Sequence, residues 1–335
     1  MVKAQLDVQY NWVFILIAGT VILSFFVGAA VWYKNTQEQK ITANIVVNIE
    51  SILKTAKENP KTAQTTTIPD VSLAFTCSLE CSDYGCASDF SGGGISRTTE
   101  TEIVFALDAI QGTQLITWAL EWNLPYKIAN FLYVTTDHIR YILVYDESSS
   151  SLALAVNSLL AENSYLTKET IKVDEITSLV LTDKNDMHVR VISFIGGPPS
   201  SAFTDIDDSM DVIIVEGNDE KGTVTFDDGE ADYYGMPLLI GALFSANKEF
   251  YSCNVQKALL QGKMVSEVYA ARTKALYESF GTEKEYCTYY FDETIQDAIT
   301  GIPEGLEDNT DISSEIETLE EANDYAIIKG CPRLY

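Results

Sequence analysis

Histidine is the scarcest catalytic residue type in this sequence, since the 335 residues contain only His138 and His188. A Ser-His-Asp arrangement needs one of them, and neither stands in a recognisable motif. G-x-S-x-G, H-E-x-x-H, G-x-G-x-x-G and G-x-x-x-x-G-K-[ST] segments do not occur, which excludes the common hydrolase, metalloprotease, dinucleotide and phosphate-loop signatures. We therefore predict that the protein is not an enzyme, with a surface enzyme that uses an unrecognised site as an alternative.

Basic residues are also few. The chain has 22 lysines and arginines against 49 acidic residues, a formal net charge of -27 and a pI near 4.2. Such a surface repels nucleic acids and anionic lipid head groups, so we expect no nucleic-acid partner. Asn-x-Ser/Thr triplets are absent as well, and N-glycosylation is not expected.

One long uncharged run occurs near the amino terminus, VQYNWVFILIAGTVILSFFVGAAVWY at residues 8–33. About 20 apolar residues, each rising about 1.5 Å, suffice to cross the hydrocarbon core of a bilayer. Trp12, Trp32 and Tyr33 stand towards its ends, where aromatic rings favour the membrane interface. A cleaved signal has a shorter apolar core, and a buried core helix would have a polar face. We predict a transmembrane helix at residues 11–33 after a short flank at residues 1–10.

The helical pattern continues beyond this run. Apolar residues recur at spacings of three and four through residues 34–58, and Asn59-Pro60 then ends the helix. We predict a helical stalk at residues 34–58 whose apolar stripe packs on the protein's own head domain, with packing on a neighbouring molecule as the alternative. Residues 59–70, NPKTAQTTTIPD, have no periodicity and are predicted to be a linker.

Six cysteines are present, an even number that favours disulfides outside the cytoplasm. They are Cys77, Cys81, Cys86, Cys253, Cys287 and Cys331. A metal site is the alternative, but the clustered thiols of CSLECSDYGC have no histidine nearby. Fifteen pairings are conceivable for six cysteines. We expect Cys331 to clamp the chain end onto the domain, and Cys253 and Cys287 to lie close enough on packed helices to pair.

Residues 71–335 have mixed patterns. Strand-like runs are TEIVFAL, TQLITWALEW, ANFLYVTT, IRYILVYD, IKVDEI, HVRVISFI and MDVIIVEG. Asp137-His138 is expected to turn ANFLYVTT back into IRYILVYD as a hairpin, and GNDEKG is expected to be a second hairpin loop. SSSSLALAVNSLLAEN and most of the last hundred residues have helical spacing. We predict an α/β (α+β) head domain with a mixed β-sheet and carboxyl-terminal helices, stapled by disulfides.

One acidic segment is a candidate cation site. TDIDDSMD places Asp205, Asp207, Asp208 and Asp211 within seven residues, and calcium prefers dense carboxylate oxygens. The EF-hand spacing is absent, and a solvated acidic loop is the alternative. DDGEAD at residues 227–232 is a second acidic loop of the same kind. Apart from calcium, no cofactor is predicted.

Lys3-Ala4-Gln5 in front of the apolar run resembles the class III signal peptides of archaeal type IV pilin-like proteins. The resemblance implies cleavage between Ala4 and Gln5, which would leave the helix on the mature protein as an assembly spine. More broadly, the KAQ start, the LITWALEWNLPYKIANFLYVTT stretch, the YSCN segment and the CPRLY ending resemble uncharacterised membrane-anchored proteins of small-genome (DPANN-type) archaea. That wider resemblance implies no known activity.

These features together predict a single-pass membrane protein whose large domain lies outside the cytoplasm, acting as a structural or interaction component of the cell surface. Its expected partners are the lipid bilayer and, through the amino-terminal helix, other copies of itself or other surface proteins. A pilin-like, self-assembling surface filament is one form of this hypothesis. A ligand-binding or secretion-accessory domain is the alternative.

Overall fold

The computed structural model describes residues 3–58, 62–82, 85–92, 95–99, 103–160, 166–178, 187–198, 210–280, 285–308, 310 and 312–335. Over these ranges the chain forms a long amino-terminal helix, two mixed six-stranded sheets and a carboxyl-terminal set of helices. Two cysteine pairs join distant segments. The predicted fold class is therefore confirmed.

The first helix, α1, runs from Lys3 to Glu58. Trp12–Gln37 is its apolar part, with a mean hydropathy of 2.5, and by length and composition it is a candidate membrane span or signal sequence. Further along, Ile49, Leu53 and Ala56 are completely or almost completely buried. They belong to the main hydrophobic core, where α1 contacts the first β-sheet. The predicted continuation of the helix to residue 58 and its packing on the head are both confirmed.

The first sheet, sheet A, is built from β1 Gln64–Ser82, β2 Gly85–Gly92, β3 Ile95–Thr99, β4 Val104–Phe105, β5 Ala109–Asn123 and β6 Lys127–Thr136. Its strand order is β3-β2-β1-β5-β6-β4, and every neighbouring pair is antiparallel except β4 with β6. Six consecutive residues of β5, numbers 115–120, are buried. Because side chains alternate between the two faces of a strand, both faces of the sheet are covered there.

The predicted linker at residues 59–70 is wrong for its second half. β1 begins at Gln64, and Gln64–Thr67 pairs with β5 before the register shifts and pairing resumes at Val71. Threonine is β-branched and favours strands, which explains why a threonine-rich segment joins a sheet. Proline is tolerated in a strand at an irregularity of this kind, and Pro69 lies within the shift.

The second sheet, sheet B, is built from β7 Ile139–Tyr145, β8 Thr167–Lys172, β9 His188–Ser193, β10 Met210–Gly217, β11 Lys221–Phe226 and β12 Gly229–Tyr234. Its strand order is β12-β11-β10-β9-β7-β8, with β10, β9, β7 and β8 parallel and the other two antiparallel. Helix α2, Ser150–Leu159, connects β7 to β8, and a 3-10 helix, Val173–Ser178, follows β8. The acidic segment at residues 227–232 is thus a turn followed by β12, and not a loop throughout.

The predicted hairpin at Asp137-His138 is also wrong. β6 ends at Thr136 in sheet A, whereas β7 begins at Ile139 in sheet B. Both edges of β6 are occupied, by β5 on one side and by β4 on the other. β7 pairs instead with β8 and β9, so these two residues carry the chain from one sheet to the other.

Side chains of sheet B alternate between two clusters. Tyr141 and Leu143 of β7 join the main core, whereas Ile142 and Val144 join a smaller cluster. Residues of β9 and β10 follow the same alternation, with Ile192 and Ile213 in the main core and Val191 and Val212 in the smaller cluster. Position 190 has the parity of Ile192 and position 211 that of Ile213. Both positions therefore face the side of the sheet that carries the main core.

The carboxyl-terminal helices are α3 Met236–Phe244, α4 Lys248–Phe280, α5 Glu285–Thr288, α6 Glu293–Glu307 and α7 Ser313–Ile328. Seven of the nine residues of α3 are buried, which explains its continuous apolar sequence. α4 packs against α6 and also contacts both sheets. This part of the chain is helical as predicted.

Two disulfides fix these helices. Cys77 of β1 is bonded to Cys253 of α4, and Cys287 of α5 is bonded to Cys331 beyond α7. The expectation that Cys331 clamps the chain end is confirmed, whereas the expected proximity of Cys253 and Cys287 for pairing is wrong. The side chains of Cys81 and Cys86 lie outside the described part of the structure. Their backbones are register partners at the end of the β1–β2 pair, and their participation in disulfides stays a prediction.

The buried side of α4 carries a lysine. Lys257 is 6% exposed, and its Nζ donates a hydrogen bond to the hydroxyl of Ser88 on β2, which is 7% exposed. Burial lowers the pKa of Lys257 to about 8 from an ordinary value of 10.5, although the nearby charge of Asp89 acts in the opposite direction. Lys257 therefore holds its ammonium proton less tightly in the folded state than in the unfolded chain.

We expect the free energy of unfolding to rise as the pH increases from about 8 to 10.5, because over that window unfolded lysine keeps a proton that folded Lys257 has lost. Replacing Lys257 by methionine is expected to stabilise the protein at pH 7 by about 1–3 kcal/mol, since a buried charge is removed at the cost of one hydrogen bond. The advantage should vanish above about pH 10. Chemical unfolding of both proteins at several pH values measures this difference, with Lys263→Met on the exposed side of α4 as the control. A variant less stable than the wild type at pH 7 would contradict it.

Candidate functional site

The residues proposed from the sequence as site residues are only partly visible. Ala4 and Gln5 lie in α1, but their side chains are outside the described part, and so is the whole of Asp205, Asp207 and Asp208. Asp211 is the second residue of β10. One of its carboxylate oxygens accepts a hydrogen bond from the imidazole of His188, and the other accepts one from the guanidinium of Arg190. Among the residues that the structure describes, no three of His, Cys, Asp or Glu are grouped to hold a metal ion. The calcium site stays a prediction, and Asp211 already has other partners.

The partners of Asp211 come from β9. Parallel pairing of β9 with β10 places Asp211 directly beside Arg190, on the face that carries the main core. Arg190 Nε lies 2.8 Å from Asp211 Oδ2, and Nη2 of Arg190 contacts the same oxygen. Arg190 is only 1% exposed, so this is a buried charge that depends on its partner.

Arg190 also holds the end of helix α3. Its Nη1 donates to the carbonyl oxygens of Leu243 at 3.0 Å and Ser245 at 2.7 Å. Carbonyls at a helix carboxyl terminus are unsatisfied within the helix and carry partial negative charge. The guanidinium therefore links sheet B to α3 and neutralises both a carboxylate and a helix end.

Both histidines of the chain lie at the open side of this ion pair. His188 Nε2 is 3.0 Å from Asp211 Oδ1, and the His188 side chain is 30% exposed. The backbone N–H of His188 donates to the carbonyl of His138 at 2.9 Å, which joins the start of β9 to the connection between β6 and β7. Two histidines separated by 50 positions in the sequence thus come together.

A cavity of about 560 Å³ opens at this point, along the amino-terminal ends of β7, β9 and β10. Six separate segments of the chain contribute to it. Its lining residues are Leu107, Asp108, Ala109, Ile110, Gln111, His138, Ile139, His188, Arg190, Met210, Asp211, Asp227 and Ala246. Polar side chains on separate elements that converge on one concave site are the usual sign of ligand binding.

The carboxylates of the cavity have different electrostatic environments. Burial by itself would raise the pKa of Asp211, but the charge of Arg190 and the hydrogen bonds from His188 and Arg190 outweigh it and lower this pKa to about 2. Asp227 has the opposite shift. Burial and the negative charges of Asp211 and Asp228 raise its pKa, and Arg190 only partly offsets them. Asp227 therefore lies in a negative field that a bound cation would relieve.

A smaller concavity of about 370 Å³ lies at the opposite, carboxyl-terminal edge of the parallel strands. Open α/β sheets usually bind ligands at that edge, where the chain changes direction between neighbouring strands. Here the change occurs between β7 and β9, because β8 lies on one side of β7 and β9 on the other. Asp146 accepts hydrogen bonds from the hydroxyls of Ser148 and Ser149 beside this concavity, so these polar groups satisfy one another.

Sequence reasoning missed the ion pair at the centre of the site. It placed His188 in no recognisable motif and assigned Asp211 to a candidate cation site, with a solvated acidic loop as the alternative. It gave Arg190 no role. Strand alternation in HVRVIS and MDVIIV does place His188 and Arg190 on one face of β9. The side-by-side register of β9 and β10, which brings Asp211 to them, is a tertiary property.

A comparison of this chain with protein-family models, with curated proteins and with solved structures finds no match. Its own residues are thus the basis for assigning a function.

Proposed function

We propose that this protein is a membrane-anchored surface protein whose apolar amino-terminal helix crosses the bilayer and whose head domain lies outside the cytoplasm. Its role is structural or interactive, with the helix as anchor and the disulfide-stapled head as the working surface. The observation that carries the proposal is the contrast between the two parts of α1. One part is uncovered and apolar, and the other is built into the head.

The uncovered part has side chains that water would solvate poorly. Phe14 is 69% exposed, Phe25 72% and Trp32 70%, and none of the 18-residue apolar window is buried by the rest of the chain. Exposed apolar area costs about 25 cal/mol for each Å², so a continuous helix of this kind favours a lipid environment. Its 26 residues would span about 39 Å at the standard rise, enough for the hydrocarbon core.

Two hydroxyl side chains in the middle of this part are compatible with lipid. The hydroxyl of Thr20 donates to the carbonyl of Leu16 at 2.8 Å, and the hydroxyl of Ser24 donates to the carbonyl of Thr20 at 2.8 Å. In a bilayer every polar group must find its partner within the protein. Helix-internal bonds of this type meet that requirement without a neighbouring helix.

Placement of the head outside the cytoplasm is supported by the two disulfides, because such bonds persist in oxidising compartments. The acidic composition of the whole chain agrees with a surface in contact with salty or cation-rich water. A charge of this sign also disfavours docking of the head on anionic lipids.

Self-assembly through the helix is the further form of this proposal. A pilin-like protein would be processed between Ala4 and Gln5 and would pack its apolar helix with those of other copies. The expected result is that the mature protein is recovered in filaments and that its measured mass corresponds to a chain beginning at Gln5. An intact Met1 in a monomeric membrane fraction would restrict the role to that of an anchor.

Deleting residues 1–37 is expected to move the protein from the membrane fraction to the soluble fraction, because the deletion removes the apolar part of α1, in which none of the 18-residue apolar window is buried. The measurement is fractionation after an alkaline carbonate wash. Trp118 and Trp122 are buried in the head, so tryptophan fluorescence reports on its unfolding. The unfolding temperature of the truncated protein should lie within about 3 °C of that of the full chain, which corresponds to a stability change of about 1 kcal/mol at most.

Val268→Arg in the full chain serves as the matched control, since this α4 valine is 68% exposed on the head, comparable with the exposed valines of α1. The control should remain in the membrane. A full-length protein that is washed off, or a truncated one that stays bound, contradicts the anchor. Protease added to intact cells tests the placement of the head, which should be cut only if it lies outside.

A further inference from the structure

The cavity beside His188 has a chemical character of its own, because most of the polar side chains in its lining can accept hydrogen bonds. Asp108 and Asp227 bring carboxylates from the segment before β5 and from the β11–β12 turn. With Nε2 of His188 bonded to the Asp211 carboxylate, Nδ1 is the acceptor nitrogen of the neutral ring. His138 supplies a second imidazole.

The one guanidinium in the lining is already committed. Arg190 bonds to Asp211 through Nε and Nη2, and to the carbonyls of Leu243 and Ser245 through Nη1. Its charge is balanced mainly by Asp211 and only partly offsets the negative charges around Asp227, and no lysine or second arginine stands among the described lining residues. A ligand must therefore bring positive charge and hydrogen-bond donors.

The described acceptors are not arranged as the ligands of one metal ion. Among the described residues no three metal-binding side chains are grouped for one ion, which disfavours a small divalent cation at this site. The lining also contains the apolar residues Leu107, Ile110, Ile139 and Met210. Carboxylates on separate segments, together with apolar residues, match a molecule with several cationic groups on an aliphatic chain.

We propose that this cavity binds a small aliphatic polyamine, with ammonium groups at Asp108 and Asp227, the imidazoles of His138 and His188 as further acceptors, and the methylene chain along the apolar residues. Binding of this kind goes beyond an anchoring role, since it gives the head a soluble ligand. The same alkylammonium chemistry occurs in a lysine side chain, and the experiment separates the two sources.

The test uses the full chain in a non-ionic detergent, labelled with ¹³C at the Cε1 of histidine. Because the chain has only two histidines, two resonances report directly on the cavity. Spermidine, added up to millimolar concentration at pH 7.5, is expected to shift both resonances with saturation, and calorimetry is expected to give one site for each chain. Asp227→Asn should weaken the binding at least about tenfold, as expected for the loss of a paired charge worth about 1.4 kcal/mol or more.

Glu230→Gln is the matched control. This exposed carboxylate is three positions away on β12, outside the cavity, and its replacement changes the net charge by the same amount. Affinity within twofold of the wild type is expected. Equal weakening by both variants, or the absence of saturable shifts in the wild type, would overturn the proposal, because the ligand would then respond only to the overall negative charge.

Two further titrations exclude other ligands. Nα-acetyl-lysine amide should bind at least tenfold more weakly than spermidine, because it has a single ammonium group. An equal affinity would assign the site to a lysine side chain and overturn the polyamine. Calcium chloride, added alone at the concentration at which spermidine half-saturates the site, should leave both histidine resonances unshifted. Shifts larger than those that spermidine causes would likewise overturn the polyamine proposal.

Discussion

Replacing Cys77 and Cys253 together by alanine is expected to lower the free energy of unfolding by about 5 kcal/mol, the largest effect of any change considered for this protein. The bond joins residues 176 positions apart, from β1 of sheet A to the beginning of α4. A cross-link restricts the unfolded chain more when the closed loop is longer. Cys253 is 2% exposed, so its loss also leaves a small gap in a packed region.

Guanidinium unfolding of the full chain in detergent, followed by tryptophan fluorescence, measures this loss. The Cys287–Cys331 pair is the internal comparison, since it closes only 44 residues and its removal should cost about 4 kcal/mol by the same relation. Loss of the longer cross-link should therefore cost more than loss of the shorter one. A cost below about 2 kcal/mol for the Cys77–Cys253 pair would show that the bond does not restrict the unfolded chain as this relation requires.

Arg190→Met is expected to cost about 3–5 kcal/mol, because removing one partner of a buried ion pair leaves the other charge uncompensated. Asp211 would lose its strongest partner, and the carbonyls of Leu243 and Ser245 would lose a donor. At about 2–4 °C for each kcal/mol, the unfolding temperature should fall by more than about 6 °C. Thermal unfolding of the two proteins in the same detergent measures it.

Two variants define the origin of that loss. Arg140→Met, which removes a partly exposed pairing with Glu169 at 2.7 Å on neighbouring strands, should cost less than about 1 kcal/mol. Adding Asp211→Leu to Arg190→Met should recover part of the stability, because the stranded charge is then gone. A double variant less stable than Arg190→Met would mean that the carboxylate alone is favourable, contrary to this account.

The same pair fixes a pH dependence. The folded Asp211 carboxyl has a pKa of about 2, below its ordinary value of 3.8. A carboxyl group whose pKa is lower in the folded state than in the unfolded chain stabilises the fold when the pH is above its unfolded pKa. This contribution is lost as the pH falls through the pKa of the folded state. The stability difference between wild type and Arg190→Met should accordingly narrow between pH 3.8 and about 2.

Much of the fold was predictable from local pattern. Helix α1 ends at Glu58, in front of Asn59-Pro60, because proline restricts the residue before it and ends helices. Strand β10 coincides with MDVIIVEG, and α3 and α4 follow the apolar periodicity of their segments. These features depend on neighbours within a few positions, which a sequence displays directly.

Other features depended on pairing between distant segments. Nothing local distinguishes a turn within one sheet from a turn between two. Only the pairing of β7 with β8 and β9, which are distant in the sequence, decides that Asp137-His138 leads into sheet B. The pairing of the cysteines could likewise not be derived from the sequence. Cys253 and Cys287 both lie in helices, but each is bonded to a cysteine in another segment, Cys77 and Cys331. Residues 65–67 were predicted to belong to a linker, because their pairing with β5 depends on a segment that is distant in the sequence.

What the sequence by itself determined is the apolar helix, the acidic surface, the mixed α/β class and the small number of reactive side chains. Each follows from composition or from periodicity along one element. Only the tertiary structure decided that His138, His188, Arg190, Asp211 and Asp227 surround one cavity. Six chain segments must meet to form it. Their meeting is set by strand order and register, which arise from the free energy of packing the whole chain and not from any single segment.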